Sequence, residues 1–262
     1  MATATLPTVS LPTKPVSVNR EELLQSLESV RPGLSIREVI QQSSCFVFKD
    51  GDVMTFNDEV TCRHKCKLNI TGAVQAEPLL NILSKMVETE VEISIDKDSR
   101  LVVMGKKRRA RIKMEMEIVL PIGTVEKPEK WQPIHEDFSD AIFMVKQCAG
   151  KDQTQLKSTC IHIHPNFVEA CDNFQLMRYK LKTGVVKPFC VRATSIAPIT
   201  SLAITQFSET PNWIHFKNAA GLVLSCRRDF DEYVDLDKLY KITGVKTTLP
   251  KGLIDATERA EI

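Results

Sequence analysis

The sequence predicts an α+β protein made of repeated domains, each with two helices and antiparallel sheets. Three observations carry that prediction: a helix pattern recurs at even spacing, a run of strands follows it, and a hairpin closes each unit. The central helix lies in Ile134 to Gly150, IHEDFSDAIFMVKQCAG, where Phe138, Ile142 and Val145 fall at helical spacing between Asp, Glu and Lys. About 115 residues earlier, one domain's length, VNREELLQSLESVRPG places Leu23, Leu24 and Leu27 on one stripe and stops it at Pro32-Gly33. LPKGLIDATERAEI stands a similar distance beyond.

The strands repeat the same order. SSCFVFKDGDVMTFNDEVTCRHKCKL, from Ser43 to Leu68, aligns with STCIHIHPNFVEACDNFQLMRYKL, from Ser158 to Leu181, with Cys45 over Cys160 and Lys67-Leu68 over Lys180-Leu181. Each has a strand, a tight turn (Asp50-Gly51 or Pro165-Asn166), a second strand, a polar corner and a third strand. Second helices are predicted from Ala76 and Ala193, and hairpins turn at Asp96 to Ser99 and at Asn218 to Gly221.

These patterns divide the chain into a flexible tail over 1–15, a first domain over 16–125, a second over 126–240, and over 241–262 a linker with the first helix of an incomplete third domain. The last helix has no strands after it to cover Leu253, Ile254 and Ala260, so the natural protein continues or this helix packs on another domain or subunit.

With 262 residues, 43% hydrophobic and 26% charged, the chain is expected to be a soluble globular protein with sizeable cores. A formal charge of +2 neither supports nor excludes nucleic acid. The eight scattered cysteines and the lack of a signal-peptide pattern predict reduced thiols in a cytoplasmic protein, and no apolar run approaches a membrane span.

The ordered series of segments resembles the bacterial sliding DNA clamp, the beta subunit of the replicative polymerase, from Val18 to Ile262. VNREELLQSLESV is similar to that family's opening helix, GAVQAEPLLNILSKM to its second helix, and RLVVMGKKRRARIKM to its basic hairpin. FVEACDNFQLMRYKL resembles the strand and corner of its second domain, and CRRDFDEYVDLDKLY the passage out of it. The divergence points to a phage-encoded or otherwise distant member, in the host cytoplasm if from a phage.

The resemblance implies a non-enzymatic processivity factor with no cofactor. Helices would line a ring of six domains that encircles double-stranded DNA and tethers the replicative polymerase, with a clamp loader as a further partner. It would close on itself, as a trimer if two domains are the whole subunit or as a dimer if a third is missing. Inner-face cations implied for DNA are Arg20, Arg31, Arg37 and Lys85 in the first domain, and Lys146, Lys151, Lys157 and Arg192 in the second. Isolated Lys and Arg beside helices are otherwise solvated surface, and Glu21, Glu22, Glu28 and Asp140 share those helices. The run Lys106, Lys107, Arg108, Arg109 and Arg111 reads as a solvated hairpin or an accessory phosphate contact.

The resemblance also implies a pocket for partner peptides. The matching positions are Ser158, the corner Cys171, Asp172, Asn173, Phe174, Gln175 and Leu176, and the exit residues Asp231, Asp235 and Leu236. The sequence departs from the family at Asn173, Phe174 and Gln175, where Gly, His and Arg are usual, and has acids at Asp231 and Asp235 in place of proline and arginine.

Two other readings stay open. One is a clamp-derived module that binds polymerase or loader proteins without forming a ring. The other, remote, is a thiol or metal hydrolase. Cys62, His64 and Cys66 alternate along one strand, but steps of about 7 Å keep them from sharing a tetrahedral metal without a bend. His162 and His164 also share a strand face, with no Ser or Cys nucleophile placed beside an oriented base.

Overall fold

The computed structural model describes residues 14–152, 154–241, 243–245, 247–248 and 250–260. Most of the expected tail, residues 1–13, lies outside them, as do Glu261 and Ile262 at the end of the last predicted helix. The chain forms two compact units, Met1–Asp231 and Glu232–Ile262.

In the first unit the order of elements repeats. The first half runs β1 (Val16–Asn19), α1 (Arg20–Ser29), β2 (Cys45–Lys49), β3 (Asp52–Phe56), β4 (Val60–Lys65), β5 (Gly72–Gln75), α2 (Ala76–Lys85), β6 (Glu90–Ile95), β7 (Arg100–Met104) and β8 (Arg109–Glu115). The second runs β9 (Gln132–Pro133), α3 (Phe138–Val145), β10 (Cys160–His164), β11 (Phe167–Cys171), β12 (Leu176–Lys180), β13 (Phe189–Arg192), α4 (Ala193–Ile196), β14 (Ile204–Glu209), β15 (Trp213–Asn218) and β16 (Val223–Arg227). All pairings are antiparallel.

Register makes the repeat quantitative. Cys45 faces Gln75 across β2 and β5, as Cys160 faces Arg192 across β10 and β13. Asp52 faces Lys65, as Phe167 faces Lys180. The offset between Cys45 and Cys160 therefore holds to the end of the third strand, so Lys65 rather than Lys67 is the counterpart of Lys180. The alignment read from sequence is off there by two residues, because both segments end the strand in Lys followed by apolar positions. The second helix also differs between halves: α4 has one turn and passes at Pro198 into the 3-10 turn Ala197–Ser201, since proline lacks the N–H an α-helix needs.

Local signals explain the starts. Asn19 caps α1, its Oδ1 accepting from the backbone N–H of Glu21 and Glu22 at 3.0 and 3.1 Å. Leu23 and Leu27 then point into the core, as Leu79 and Leu83 do from α2, and Phe138, Ile142 and Val145 from α3.

The halves are sewn together by strands. β16 pairs with β4, Val223 opposite Arg63 and Cys226 opposite Val60, which carries one twelve-stranded sheet across both halves. β12, β11, β10 and β13 make a second sheet. Trp213 of the second half sits in a small core with Cys45, Val47, Phe56 and Ala73 of the first, under Leu120. In the unit Glu232–Ile262, α5 (Asp237–Tyr240) and α6 (Leu253–Ala260) are short, and Leu253 and Ile254 of α6 are exposed.

Candidate nucleic-acid and partner interface

The helices of the first unit stand in a row. α1 packs on α2, α3 packs on the Ala197–Ser201 turn, and a cavity of about 570 Å³ joins α1 to the Ser201–Ala203 corner across the joint. The exposed faces of this row set its charge.

Its charge is not basic. The exposed side of α1 carries Glu21, Glu22 and Glu28, that of α2 carries Glu77 with Lys85, and that of α3 carries Asp140 beside Phe143 and Met144. Several expected cations are already engaged. Arg20 is mostly buried: its Nε donates to Glu88 O at 2.9 Å, its Nη1 to Leu83 O, and its Nη2 pairs with Glu21, so it ties the start of α1 to the end of α2. Arg31 pairs with Glu28 at 2.9 Å, and Lys157 lies 3.4 and 3.1 Å from Asp229 and Asp231. Arg192 reaches Glu59 at 3.3 Å across the joint, beside Arg227, which holds Asp58 at 2.5 Å. Lys85, Arg37 and Lys151 are exposed, and Lys146 lies with its Nζ 4.9 Å from the centre of the Phe143 ring.

The basic run is tied to the row. Arg108 Nη1 donates to Lys85 O at 2.7 Å, which sets the hairpin turn against the last residue of α2. Sequence spacing held no signal for that contact.

The predicted peptide-binding residues split into two groups. Asp172 shapes the β11–β12 corner by accepting from Phe174 N at 2.7 Å and Gln175 N at 2.8 Å, and those donors hold its carboxyl below the usual pKa. The corner is docked from both sides: Gln175 Nε2 donates to Gln147 O at 2.9 Å and Asn173 Nδ2 to Gln155 Oε1 at 3.3 Å. Ser158 Oγ donates to Gln155 O, so it neighbours the corner through Gln155. Phe174 stands 96% exposed, while Cys171 and Leu176 at the ends of the paired strands are half-buried. Asp231 pairs with Lys157; Asp235 and Leu236 belong to the other unit, where Asp235 Oδ1 accepts from Asp237 N just ahead of α5.

The residues weighed for hydrolysis are built into the fold. Burial pushes the Cys62 thiol up to about 12, and His64 Nδ1 lies 2.8 Å from Lys65 O. His162 pairs with Glu169 at 2.8 Å, which also pairs with Arg178, and His164 stacks on Phe167. Among the described residues no three His, Cys, Asp or Glu side chains group to hold a metal, and no helix is long and apolar enough to cross a membrane.

Repeated helix-and-sheet domains joined edge to edge, with their helices in a row, define the DNA-clamp fold. Solved structures of that class match most of this chain. The DNA polymerase III beta chain of Streptococcus pneumoniae superposes with a TM-score of 0.74 at 14% identity, over 87% of this chain and 68% of that one. The beta subunit from Thermotoga maritima gives 0.71 at 15% identity, over 87% and 68%. The DNA polymerase sliding clamp from Bacillus subtilis gives 0.73 at 14%, over 85% and 66%. The chain thus has the sliding-clamp fold and spans about two thirds of the length of these clamps. No protein-family profile matches the sequence, and no curated protein does.

Proposed function

We propose that this chain works as a DNA polymerase processivity clamp, forming part of a ring that encircles duplex DNA and carries no catalysis. The observation that supports this most is the helix row crossing the β4–β16 joint, because a joint that repeats head to tail curves a sheet around an axis and keeps the helices on one side. A ring holds by topology, so its contacts to phosphates need only be weak and indifferent to sequence, and tethering raises the polymerase's effective concentration at the primer end.

The same joint bears on how the ring closes. The strands matching β16 and β4 are β8 and β12, and β12 ends its sheet. Carrying the joint's register over sets Arg109 opposite Arg178, where the joint itself sets Val223 opposite Arg63. Like charges directly opposite are unfavourable in a ladder. Glu169 already pairs with Arg178, however, so this opposition weighs only lightly against a trimer joined β12 to β8.

Retention on a singly nicked circular plasmid, loaded by a bacterial clamp loader and followed by gel filtration in high salt, tests the reading. Protein that stays with the circle and leaves once the DNA is linearised supports encirclement; equal loss from both forms refutes it. The acidic helix faces favour a second reading, a clamp-fold module that binds polymerase or loader proteins without a ring. That reading expects polymerase-peptide binding together with no topological retention.

A further inference from the structure

The β3–β4 corner repeats the β11–β12 corner in detail. Asn57 Oδ1 accepts from Glu59 N at 3.2 Å and Val60 N at 2.8 Å, at the positions where Asp172 serves Phe174 and Gln175. Asn57 Nδ2 also donates to Pro32 O at 3.5 Å, and Pro32 stands at the repeat position of Gln147, whose carbonyl accepts from Gln175 in the second half. The corners differ in what lies beyond them. Phe174 is almost fully exposed, whereas Glu59 in its place receives Arg192 of the second half at 3.3 Å, and Val60 pairs with Cys226.

The β3–β4 corner and the second half enclose an open groove of about 580 Å³. Pro32, Leu34 and Val60 form its apolar side, and Arg192 with Thr194 closes it from the second half. Its lip is the loop from Ser35 to Ser43, which is braced at both ends. Ser35 N donates to Ser43 O at 2.9 Å, and buried Gln42 donates from Nε2 to Glu117 O at 2.8 Å while its Oε1 accepts from Val119 N at 3.0 Å. Between these anchors Ile36 is fully exposed and Val39 is 89% exposed, two branched apolar side chains on one held loop beside the groove. Arg37 between them is exposed and forms no ion pair among the described residues. Since Arg192 is paired with Glu59, the groove's own residues carry one positive charge, on Arg37. Glu38 is outside the groove wall and directs its carboxylate to Gln42 N and Ser44 Oγ, and Asp58 beyond the corner is paired with Arg227.

We propose that this groove binds an extended partner peptide that carries an aliphatic residue next to an acidic one. The repeat supports a peptide as the occupant: the capped corner is the one on which the second half bears its expected peptide site, and here a following domain already stands in place to form the opposite wall. Ile36 and Val39 cover the aliphatic side chain against Leu34, and Arg37 meets the carboxylate at the rim, where water keeps the ion pair weak. The inference rests on reading the chain as a clamp-fold protein that receives partner peptides, and it holds whether or not a ring closes.

The probe is the peptide Gly-Asp-Leu-Ile-Gly, acetylated and amidated at its ends, and its control carries Asn in place of Asp. Each is titrated to about 5 mM, the range of weak peptide contacts, into 15N-labelled full-length chain while the assigned backbone amide signals are followed. Saturable shifts centred on Ile36, Arg37 and Val39 are expected, with weaker binding of the control. Ile36→Ser combined with Val39→Ser changes only exposed side chains, so the fold should persist while binding weakens about tenfold. Arg37→Glu should weaken it about threefold at low salt, and Phe174→Ala should leave it unchanged. The absence of saturable shifts, equal binding of peptide and control, or unchanged affinity in the double variant overturns the proposal. Shifts that gather at Phe174 and vanish in Phe174→Ala overturn it too, placing the peptide on the β11–β12 corner and leaving the clamp reading intact. Failure of the clamp reading itself would show instead in the nicked-circle retention.

Discussion

The indole of Trp213 meets the ring of Phe56 at 6.2 Å between centroids, tilted by 47°, and so joins the second half of the repeat to the first. Arg227 covers the indole from 4.9 Å while holding Asp58 of the first half. Trp213→Ala should cost about 3–5 kcal/mol, the range for emptying a buried aromatic site. Denaturant unfolding followed by circular dichroism checks this, and a double-mutant cycle with Phe56→Leu should return about 0.5–1.5 kcal/mol of coupling between the rings.

His215 gives a pH signature. It is buried on β15, with Nδ1 2.7 Å from Ser225 Oγ and Nε2 2.9 Å from Thr210 Oγ1, which in turn bonds Glu126 at 2.9 Å. Burial pulls its pKa to about 4; Glu126 opposes the shift and Arg228 adds to it. The folded pKa lies below the unfolded one, so the unfolded chain takes up the proton first. Stability should be complete above about pH 6.5 and fall as pH drops toward 4, by about 3 kcal/mol from this group at the lower end. Urea titrations from pH 7.5 to 4.5 should show that slope, and His215→Gln should flatten it.

The cations of the helix row should separate by role. Lys146→Glu with Lys151→Glu should lower DNA retention and reduce the salt slope of binding by about 1 for each phosphate no longer neutralised, without altering the unfolding midpoint. Arg20→Ala should instead destabilise by about 1–3 kcal/mol, since it strips bonds from Glu88 O and Leu83 O. Binding isotherms at several salt concentrations, set beside thermal melts, distinguish the two.

At the β11–β12 corner, Phe174→Ala should leave folding unchanged within about 0.5 kcal/mol, as expected for so exposed a side chain. Its loss should weaken binding of a polymerase-derived peptide in a calorimetric titration. Asp172→Ala should act otherwise, speeding amide exchange at Phe174 and Gln175 by removing their acceptor.

The repeat was legible because hydrophobic period and turn chemistry are local: Leu23 with Leu27, Asp50-Gly51 and Cys45 with Cys160 all mark elements that the fold contains. The charges were not legible in the same way. Arg20 and Lys85 look alike in the sequence, and only the meeting of α1 with α2 buries one and exposes the other. Trp213 fills a gap opened by a strand far away in the chain, and Arg228 depends on Phe189 and Phe230 folding over it. Pairings between distant segments leave no periodicity for a linear pattern to reveal.

The β4–β16 joint also imposes a delay on synthesis. β4 leaves the ribosome about 160 residues ahead of the strand that covers it, which at ordinary elongation rates leaves its edge bare for on the order of ten seconds. A bare edge invites pairing with neighbouring nascent chains, and β4 carries Arg63 and Lys65, both anchored to Asp52 on the adjacent strand, in the positions where charge discourages it. The residues that look ornamental in the finished sheet thus guard it while it is being made.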